Sequence, residues 1–392
     1  MIVRHFLGWV RTAPAGERAE ATRALARAWL FSEMSSDDVA ATEGALLMLL
    51  DDPSPLVREA MAQVFAHSSD APAAIVRALS CDQPSVALPI LQHSPLLIDA
   101  DLVDIVATGK REVQCAIASR RNLPASICAA IAEVGTIEAC LVLIENAEAA
   151  LTPLSIDRIV ERFGHVAAIR ERLLDGRELP AATRLALVAK LSDQLSRFVT
   201  ARNWLSTERA EIVTGEARER SMVNIAAKAP GDDLCVLVRH LRESGQLTAG
   251  LILRTLLSGN ADMFELSLVE LTGMNRQRVS AILQEPAGAS LTALLSRAGF
   301  PPSTFAAFRA ALAAGGEIGF AGTIDGATRL QRRMVERVLT SCEQDAEATE
   351  ALLILLRRFE TESAREEARL FCDELVAAQH LDRDASDRRL AA

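Results

Sequence analysis

The chain has 392 residues, of which 50% are apolar and 24% charged, with a formal net charge of −10. This combination is typical of a folded protein and excludes an intrinsically disordered one, which pairs low hydrophobicity with high net charge. The acidic balance, the aromatic content of 4% and the lack of tyrosine argue against a nucleic-acid partner, because such proteins need basic stripes and rings that stack on bases.

The N-terminal segment and the cysteines indicate the compartment. Arg4 and His5 interrupt the short apolar stretch at the start of the chain, and no apolar run approaches the roughly 20 residues of a membrane span. The seven cysteines are dispersed and form no CxxC pair, which favours reduced thiols buried as small apolar side chains. We therefore predict a cytoplasmic protein with no membrane span.

A stiff turn followed by a short amphipathic helix is the first predicted element, and it recurs. Residues 51–66, DDPSPLVREAMAQVFA, place two acids and two prolines before an apolar pattern of helical period. Similar segments begin at residues 81, 108 and 134. The equivalent apolar positions lie 29, 27 and 26 residues apart: Val57, Val86, Val113 and Ala139. A period of this length predicts stacked helical repeats.

The first repeat turn contains residues to which we assign structural roles. Asp52 is expected to accept hydrogen bonds from free backbone N–H groups, and Pro53 and Pro55 to fix the turn. Arg58 completes the segment DPSPLVR. The buried stripe of the following helix is predicted to be Leu56, Val57, Ala60, Met61 and Val64.

A second series of prolines runs in phase with the first. Its members lie 29, 29 and 27 residues apart: Pro95, Pro124, Pro153 and Pro180. Because proline tolerates the first turn of a helix, the segments NLPASICAAIAEVG and ALTPLSIDRIVERFG are predicted to be second helices of the repeat that begin near Pro124 and Pro153. Gly135 and Gly164 follow these two helices and are predicted to form left-handed caps. The unit is helix, turn, helix, turn.

The chain is therefore predicted to be all-α, with three regions. Residues 1–175 form a HEAT-like α-solenoid of short helix pairs, in which each pair buries its apolar face against its neighbours. Residues 176–312 keep the helical signal without the repeat phase, which predicts a second, irregular helical region. Residues 313–392 begin with a glycine-rich linker, 313–326, and continue as long amphipathic helices that cover the second region or pair with another chain.

The sequence resembles a bacterial family, the domain of unknown function 2336, whose members are similar to HEAT-like helical-repeat proteins. The resemblance covers most of residues 1 to about 310. Four segments carry it: GERAEATRALARAWL (16–30), LLDDPSPLVREAMA (49–62), DQPSVALPILQHSPLLIDADLVDIVATG (82–109) and VGTIEACLVLIENAEA (134–149). The resemblance implies a soluble helical-repeat protein and supplies no catalytic or binding residue.

Two groups of residues have the composition of a metal or acid–base site. Asp99, Asp101 and Asp104 lie together, but acids in the first turn of a helix are favoured by the helix dipole, and no calcium loop follows. Glu161 and His165 have the spacing of a helical metal pair, but further ligands are missing. We therefore predict no catalytic residue, no metal and no cofactor.

One basic cluster is the candidate binding rim. It surrounds the predicted helix in KREVQCAIASRRN and consists of Lys110, Arg111, Arg120, Arg121 and Asn122. Arginine makes bidentate hydrogen bonds to carboxylate and phosphate, so the cluster has the chemistry to bind an acidic group. A solvated charged face is the alternative interpretation.

The function predicted from these features is a non-catalytic interaction scaffold or regulatory adaptor that docks a protein partner. One alternative is an enzyme on a HEAT-like scaffold, similar to the helical-repeat DNA glycosylases, although these need a basic groove. Another is an oligomeric structural or sensor protein that forms homo-oligomers through its C-terminal helices.

Overall fold

The computed structural model describes residues 8–10, 12–176, 178–285, 288–318, 331–345 and 349–390. Within these ranges every regular element is a helix, which confirms the predicted all-α class. None of the described helices combines the length and the apolar composition that a membrane span requires. The chain divides into two compact units, Met1–Leu179 and Pro180–Ala392, called unit 1 and unit 2 below.

Unit 1 is built from short helices joined by tight turns. Its helices are α1 (Ala15–Phe31), α2 (Ser36–Leu49), α3 (Pro55–Phe65), α4 (Ala73–Ser80), α5 (Pro84–His93), α6 (Asp99–Thr108), α7 (Arg111–Ala118), α8 (Ala125–Val134), α9 (Ile137–Glu145), α10 (Pro153–Phe163) and α11 (Ala167–Gly176). The four repeated segments form α3, α5, α7 and α9, and two of the in-phase prolines stand at the starts of α8 and α10.

Apart from α2 and α4, each helix of unit 1 packs on a helix two places away in the chain order. One series of contacts runs through α1, α3, α5, α7, α9 and α11, and a second through α6, α8 and α10. The apolar side chains at the repeated position explain the first series. Val57, Val86 and Ala139 are fully buried or nearly so, and Val113 is half-buried.

The turn before α3 is held by an ion pair to α1, and a second ion pair joins α3 to the turn before α5. Asp52 accepts hydrogen bonds from the Ser54 N–H at 2.8 Å and from Arg18 Nε and Nη2 at 2.9 and 2.8 Å. Arg58 pairs with Asp82 and donates to the Asp52 carbonyl. Partial burial opposes ionisation of Asp52, but the hydrogen bonds from Arg18 and Ser54 outweigh it and lower the pKa of Asp52.

The sequence predictions made for Leu56, Gly135 and Gly164 are wrong. Leu56 lies outside the buried stripe, since it is half exposed on α3. Gly135 and Gly164 end their helices with negative φ, so neither forms a left-handed cap. Gly135 is needed for another reason, because a Cβ there would lie 2.4 Å from the Ile131 carbonyl oxygen.

Replacing Gly135 with alanine should therefore destabilise unit 1 by about 1–3 kcal/mol, the usual cost of overpacking. Gly44→Ala is the matched control, since a Cβ at Gly44 in α2 meets nothing within 4 Å and should stabilise the helix by about 0.5–1 kcal/mol. Urea denaturation of the full chain measures both. Amide hydrogen exchange should show the Gly135→Ala loss in α8 and α9. Equal effects of the two substitutions would contradict the steric explanation.

Unit 2 combines short helices with three that are longer than any described helix of unit 1. Its helices are α12 (Ala181–Ala201), α13 (Thr207–Lys228), α14 (Gly231–Glu243), α15 (Ala249–Leu257), α16 (Ala261–Thr272), α17 (Arg276–Leu283), α18 (Ala289–Arg297), α19 (Phe305–Ile318), α20 (Arg332–Glu343) and α21 (Glu350–Leu390), with a 3₁₀ turn at Pro302–Thr304 before α19. The three long helices are α12, α13 and α21.

The main core of unit 2 crosses the boundary that the sequence placed between residues 312 and 313. Phe264 and Phe308 share this core with Val338 of α20 and Phe359 of α21. The C-terminal helices therefore cover α15–α19 of their own chain. Of the predicted glycine-rich linker, residues 313–318 belong to α19 and residues 319–326 lie outside the described residues.

The cysteines are less uniformly buried than predicted. Burial is confirmed for Cys128, Cys140 and Cys342, and it raises the pKa of the Cys140 and Cys342 thiols to about 11. The prediction is wrong for three exposed thiols: Cys81, Cys235 and Cys372. No disulfide joins any of the seven cysteines, all of which lie within the described residues.

Candidate docking surface

The first two helices of unit 2, α12 and α13, form an antiparallel hairpin with defined ends. Pro180 stands before the first residue of α12 and suits that position because its missing N–H is not needed there. The Asn203 backbone adopts a left-handed conformation in the connecting turn, with φ 55°, which asparagine tolerates better than most residues. The Ser206 side chain then accepts from the Arg209 N–H and caps α13.

The outer part of the hairpin, residues 189–218, packs mainly on itself. Ser192 and Ala210 are its buried residues, and both are small. Because each helix buries so little here, the two faces of the hairpin that flank the contact line are open to solvent.

One open face is apolar and forms what we call the hairpin surface. Its members are large apolar side chains that are between 39% and 62% exposed: Leu191, Leu195, Phe198, Trp204, Ile212 and Val213. Leu191, Leu195 and Phe198 follow the i, i+4, i+7 spacing of one helix face. The six residues fall within one short stretch of chain, whereas exposed apolar residues elsewhere are scattered. An exposed apolar cluster of this kind marks an interaction surface.

The tip of the hairpin surface is organised by aromatic contacts. Phe198 and Trp204 meet edge to face with their ring centroids 5.7 Å apart. The Arg202 guanidinium lies 4.3 Å from the centroid of Phe198 and 5.4 Å from that of Trp204. These contacts hold two rings and a cation in one arrangement, so the tip needs little ordering on binding.

The opposite face of the hairpin is polar. A groove of about 760 Å³ runs between the helices, and its α12 side is formed by Asp193, Arg197 and Thr200, which share the face away from Leu195. Gly215 lines the α13 side. The Arg218 guanidinium bonds Asp193 Oδ1 at 2.7 Å across the groove. Because this face is polar and partly closed by an ion pair, the apolar face is the stronger candidate for a docking surface.

The residues of the predicted binding rim lie at the two ends of α7. Lys110 and Arg111 are exposed at its start, where Arg111 is 3.8 Å from Glu138. Arg121 and Asn122 are exposed after its end, and Asn122 has a left-handed backbone with φ 49°. A helix of eight residues is about 12 Å long, so the two groups are separate.

The fifth rim residue, Arg120, has a structural contact. Its guanidinium donates to the carbonyls of Leu91 and Ser94 at 2.6 and 2.7 Å, where α5 ends. Burial lowers the pKa of Arg120. The side-chain amide of Asn146 does the same at the end of α7, donating to the carbonyls of Ala118 and Arg120. Arg120 and Asn146 thus cap free carbonyls at the ends of α5 and α7.

The acidic groups noted in the sequence also have structural surroundings. Asp99 and Asp101 stand in the first turn of α6, where the helix dipole favours them. Glu161 pairs with Arg158 at 2.6 Å, whereas His165 lies beyond the end of α10, so the two do not share a helix face as expected. In the part of the chain that the structure describes, no group of three or more His, Cys, Asp or Glu side chains has metal-binding geometry.

The sequence analysis did not identify the hairpin surface. In KLSDQLSRFVTARNW the apolar spacing is that of any amphipathic helix, which normally buries its stripe. One signal in the sequence could have indicated an exposed aromatic residue. Trp204 directly follows the polar residues Arg202 and Asn203, which are typical of a turn at the surface. Exposure of Leu191 and Leu195 depends on which helices come near, and only the tertiary structure shows that.

Comparison with known proteins gives one family. A family model described as an uncharacterised protein conserved in bacteria, DUF2336, matches residues 86–348, more than half of the chain. The chain belongs to this family, which confirms the resemblance seen in the sequence, although the matched range starts and ends later than expected. Searches of curated proteins and of solved structures gave no match.

Proposed function

We propose that this member of the DUF2336 family is a non-catalytic interaction scaffold that docks a protein partner on the hairpin surface. The observation that carries the proposal is the clustering of six large exposed apolar side chains along α12, the connecting turn and α13. Large apolar patches are costly to leave in water and aromatic anchors dominate protein interfaces. Phe198 and Trp204 would be the anchors, and the Arg202 cation beside them favours a partner that brings a carboxylate to the rim of the contact.

The proposal extends to the architecture of unit 1, which we interpret as a HEAT-like α-solenoid. Support comes from the two series of helix contacts, α1 to α11 and α6 to α10, and from side chains that cap the preceding repeat, such as Arg120 and Asn146. A solenoid offers an extended second surface. The exposed rim residues Lys110, Arg111 and Arg121 remain candidates for contacts with the same partner, in a cytoplasmic setting.

The double substitution Phe198→Ser/Trp204→Ser should weaken partner binding by at least 2 kcal/mol, the threshold for interface hot spots. The partner is obtained by placing a photo-crosslinking amino acid at position 195 in the full chain in its own cells, and its affinity is then measured with purified proteins. Both replaced side chains are exposed, so the variant should fold. Leu154→Ser is the matched control, because Leu154 is equally apolar, 81% exposed and located in unit 1.

Three results would contradict the proposal. One is crosslinking at position 154 to the same protein with the same yield as at position 195. Another is recovery of nucleic acid or a small molecule with no protein, which would favour the enzyme or sensor alternatives. The third is recovery of a second copy alone, which would favour the oligomer alternative. Truncation before α20 is unsuitable for these tests, since Met334 and Phe359 belong to the unit 2 core.

A further inference from the structure

A cleft rich in arginine lies between α13 and α21 in unit 2. Its volume is about 250 Å³. Four of the residues that line it are arginines, Arg220 from α13 and Arg358, Arg365 and Arg369 from α21. The three on α21 are seven and four residues apart and therefore share one face of that helix. Guanidinium groups thus reach the cleft from two different helices.

The inner arginines of the cleft are held by glutamates. Arg220 Nε donates to Glu362 Oε1 at 2.8 Å, and Arg358 contacts Glu219 at 3.3 Å and Glu216 at 3.4 Å. These pairs occupy part of each planar fork, so further N–H donors of the same guanidinium groups remain available for a ligand. The pairs also fix the direction in which those donors point.

The acid that anchors Arg220 has a second partner beneath the cleft. Arg254 of α15 is 2% exposed and pairs with Glu362, and its Nη1 lies 3.6 Å from Glu219. Glu219 and Glu362 are therefore each shared by two arginines. Their negative charge is already balanced and gives little repulsion to an anion that enters the cleft.

The outer arginines of the cleft are not balanced in this way. Arg365 and Arg369 are exposed, and among the described residues neither forms an ion pair or a side-chain hydrogen bond. Glu366 is the remaining acid that lines the cleft. The cleft therefore carries a local excess of positive charge, although the chain as a whole has a net charge of −10. Such a positive site attracts anions.

We propose that this cleft binds a phosphate group, with Arg365 and Arg369 as its direct ligands and Arg220 and Arg358 as the inner donors. Guanidinium groups that converge from two helices suit a tetrahedral oxyanion, whereas a planar carboxylate is satisfied by one fork. The volume of about 250 Å³ fits inorganic phosphate or pyrophosphate and is below that of pockets for drug-sized ligands. The proposal does not depend on the hairpin surface.

The test is isothermal titration calorimetry of the full chain with sodium pyrophosphate and with inorganic phosphate, at constant ionic strength in a phosphate-free buffer. We expect saturable binding of pyrophosphate at one site. The variant Arg365→Gln/Arg369→Gln should bind at least tenfold more weakly. Because both side chains are exposed and unpaired among the described residues, its circular dichroism and melting temperature should match those of the unsubstituted protein.

Two controls separate a phosphate site from general attraction of anions. Arg209→Gln/Arg239→Gln removes two exposed arginines and the same charge elsewhere in unit 2, and it should keep the affinity within about twofold, as expected for distant sites. Citrate tests a carboxylate of similar charge and should bind at least tenfold more weakly than pyrophosphate. The proposal is overturned by absence of saturable pyrophosphate binding, by equal losses in the two double variants, or by citrate binding as tightly as pyrophosphate.

Discussion

Replacing Arg254 with methionine should lower the free energy of unfolding of unit 2 by about 3 kcal/mol, at the lower end of the cost of breaking a buried ion pair. Arg254 is 2% exposed and pairs with Glu362, which is itself mostly buried. Its guanidinium also lies 5.2 Å from the centroid of the Phe359 ring. The substitution leaves the Glu362 carboxylate without its buried partner. Arg220 still contacts this carboxylate, and for that reason we expect the lower limit.

The matched control for Arg254 is Arg276→Met. Arg276 also bridges two acids, Asp262 and Glu265, but it is about half exposed. Surface ion pairs contribute roughly 0–1 kcal/mol, so this substitution should have a small effect. Urea denaturation gives the free energies, and amide hydrogen exchange in α15 and α21 shows where stability is lost. A cost below 1 kcal/mol for Arg254→Met would show that the ion pair is replaceable by apolar packing alone.

The substitution Phe308→Ala should cost about 3–5 kcal/mol, the range measured for large aromatic residues in protein cores. Phe308 is fully buried in α19. Its ring lies between those of Phe264, at 5.8 Å, and Phe300, at 5.1 Å. Alanine would leave a cavity and remove both ring contacts, each worth about 0.5–1.5 kcal/mol beyond the area that it buries. Because this core joins α16 to α21, the loss should be felt throughout unit 2.

Phe371→Ala provides the comparison for Phe308. Phe371 is 62% exposed on α21, and surface substitutions usually change stability by less than about 0.5 kcal/mol. Thermal and urea denaturation of both variants measure the difference. A Phe308→Ala variant as stable as Phe371→Ala would show that α19 is not a central element of the core. Phe308→Leu should fall between the two, since it retains much of the volume but loses the ring contacts.

Local sequence patterns were reliable where a short segment decides its own structure. The DPSPLVR turn and the residues near Pro124 and Pro153 stand where α3, α8 and α10 begin, because proline and the apolar period act within one or two turns of helix. The error at Gly135 has the same local scale. The predicted left-handed cap was wrong, since φ is negative there, and the close contact at this glycine is with the Ile131 carbonyl.

Partners that are distant in sequence could not be predicted. Asp52 pairs with Arg18, and Arg254 of α15 pairs with Glu362 of α21, yet nothing in the local pattern relates the members of either pair. The candidate sites show the same limit. The basic cluster at residues 110–122 is divided between the two ends of α7, whereas the arginine cleft is assembled from α13 and α21.

The sequence by itself determined the all-helical class, the family and the positions of most helices of unit 1, since helical period, proline and glycine act over a few residues. Only the tertiary structure decided which apolar stripes become core and which stay exposed. The stripe at Met334 and Phe359 is buried, whereas that at Leu195 and Phe198 is exposed. Both have the amphipathic spacing of a helix. The difference arises because burial depends on which distant helices pack nearby, and that is a property of the whole folded chain.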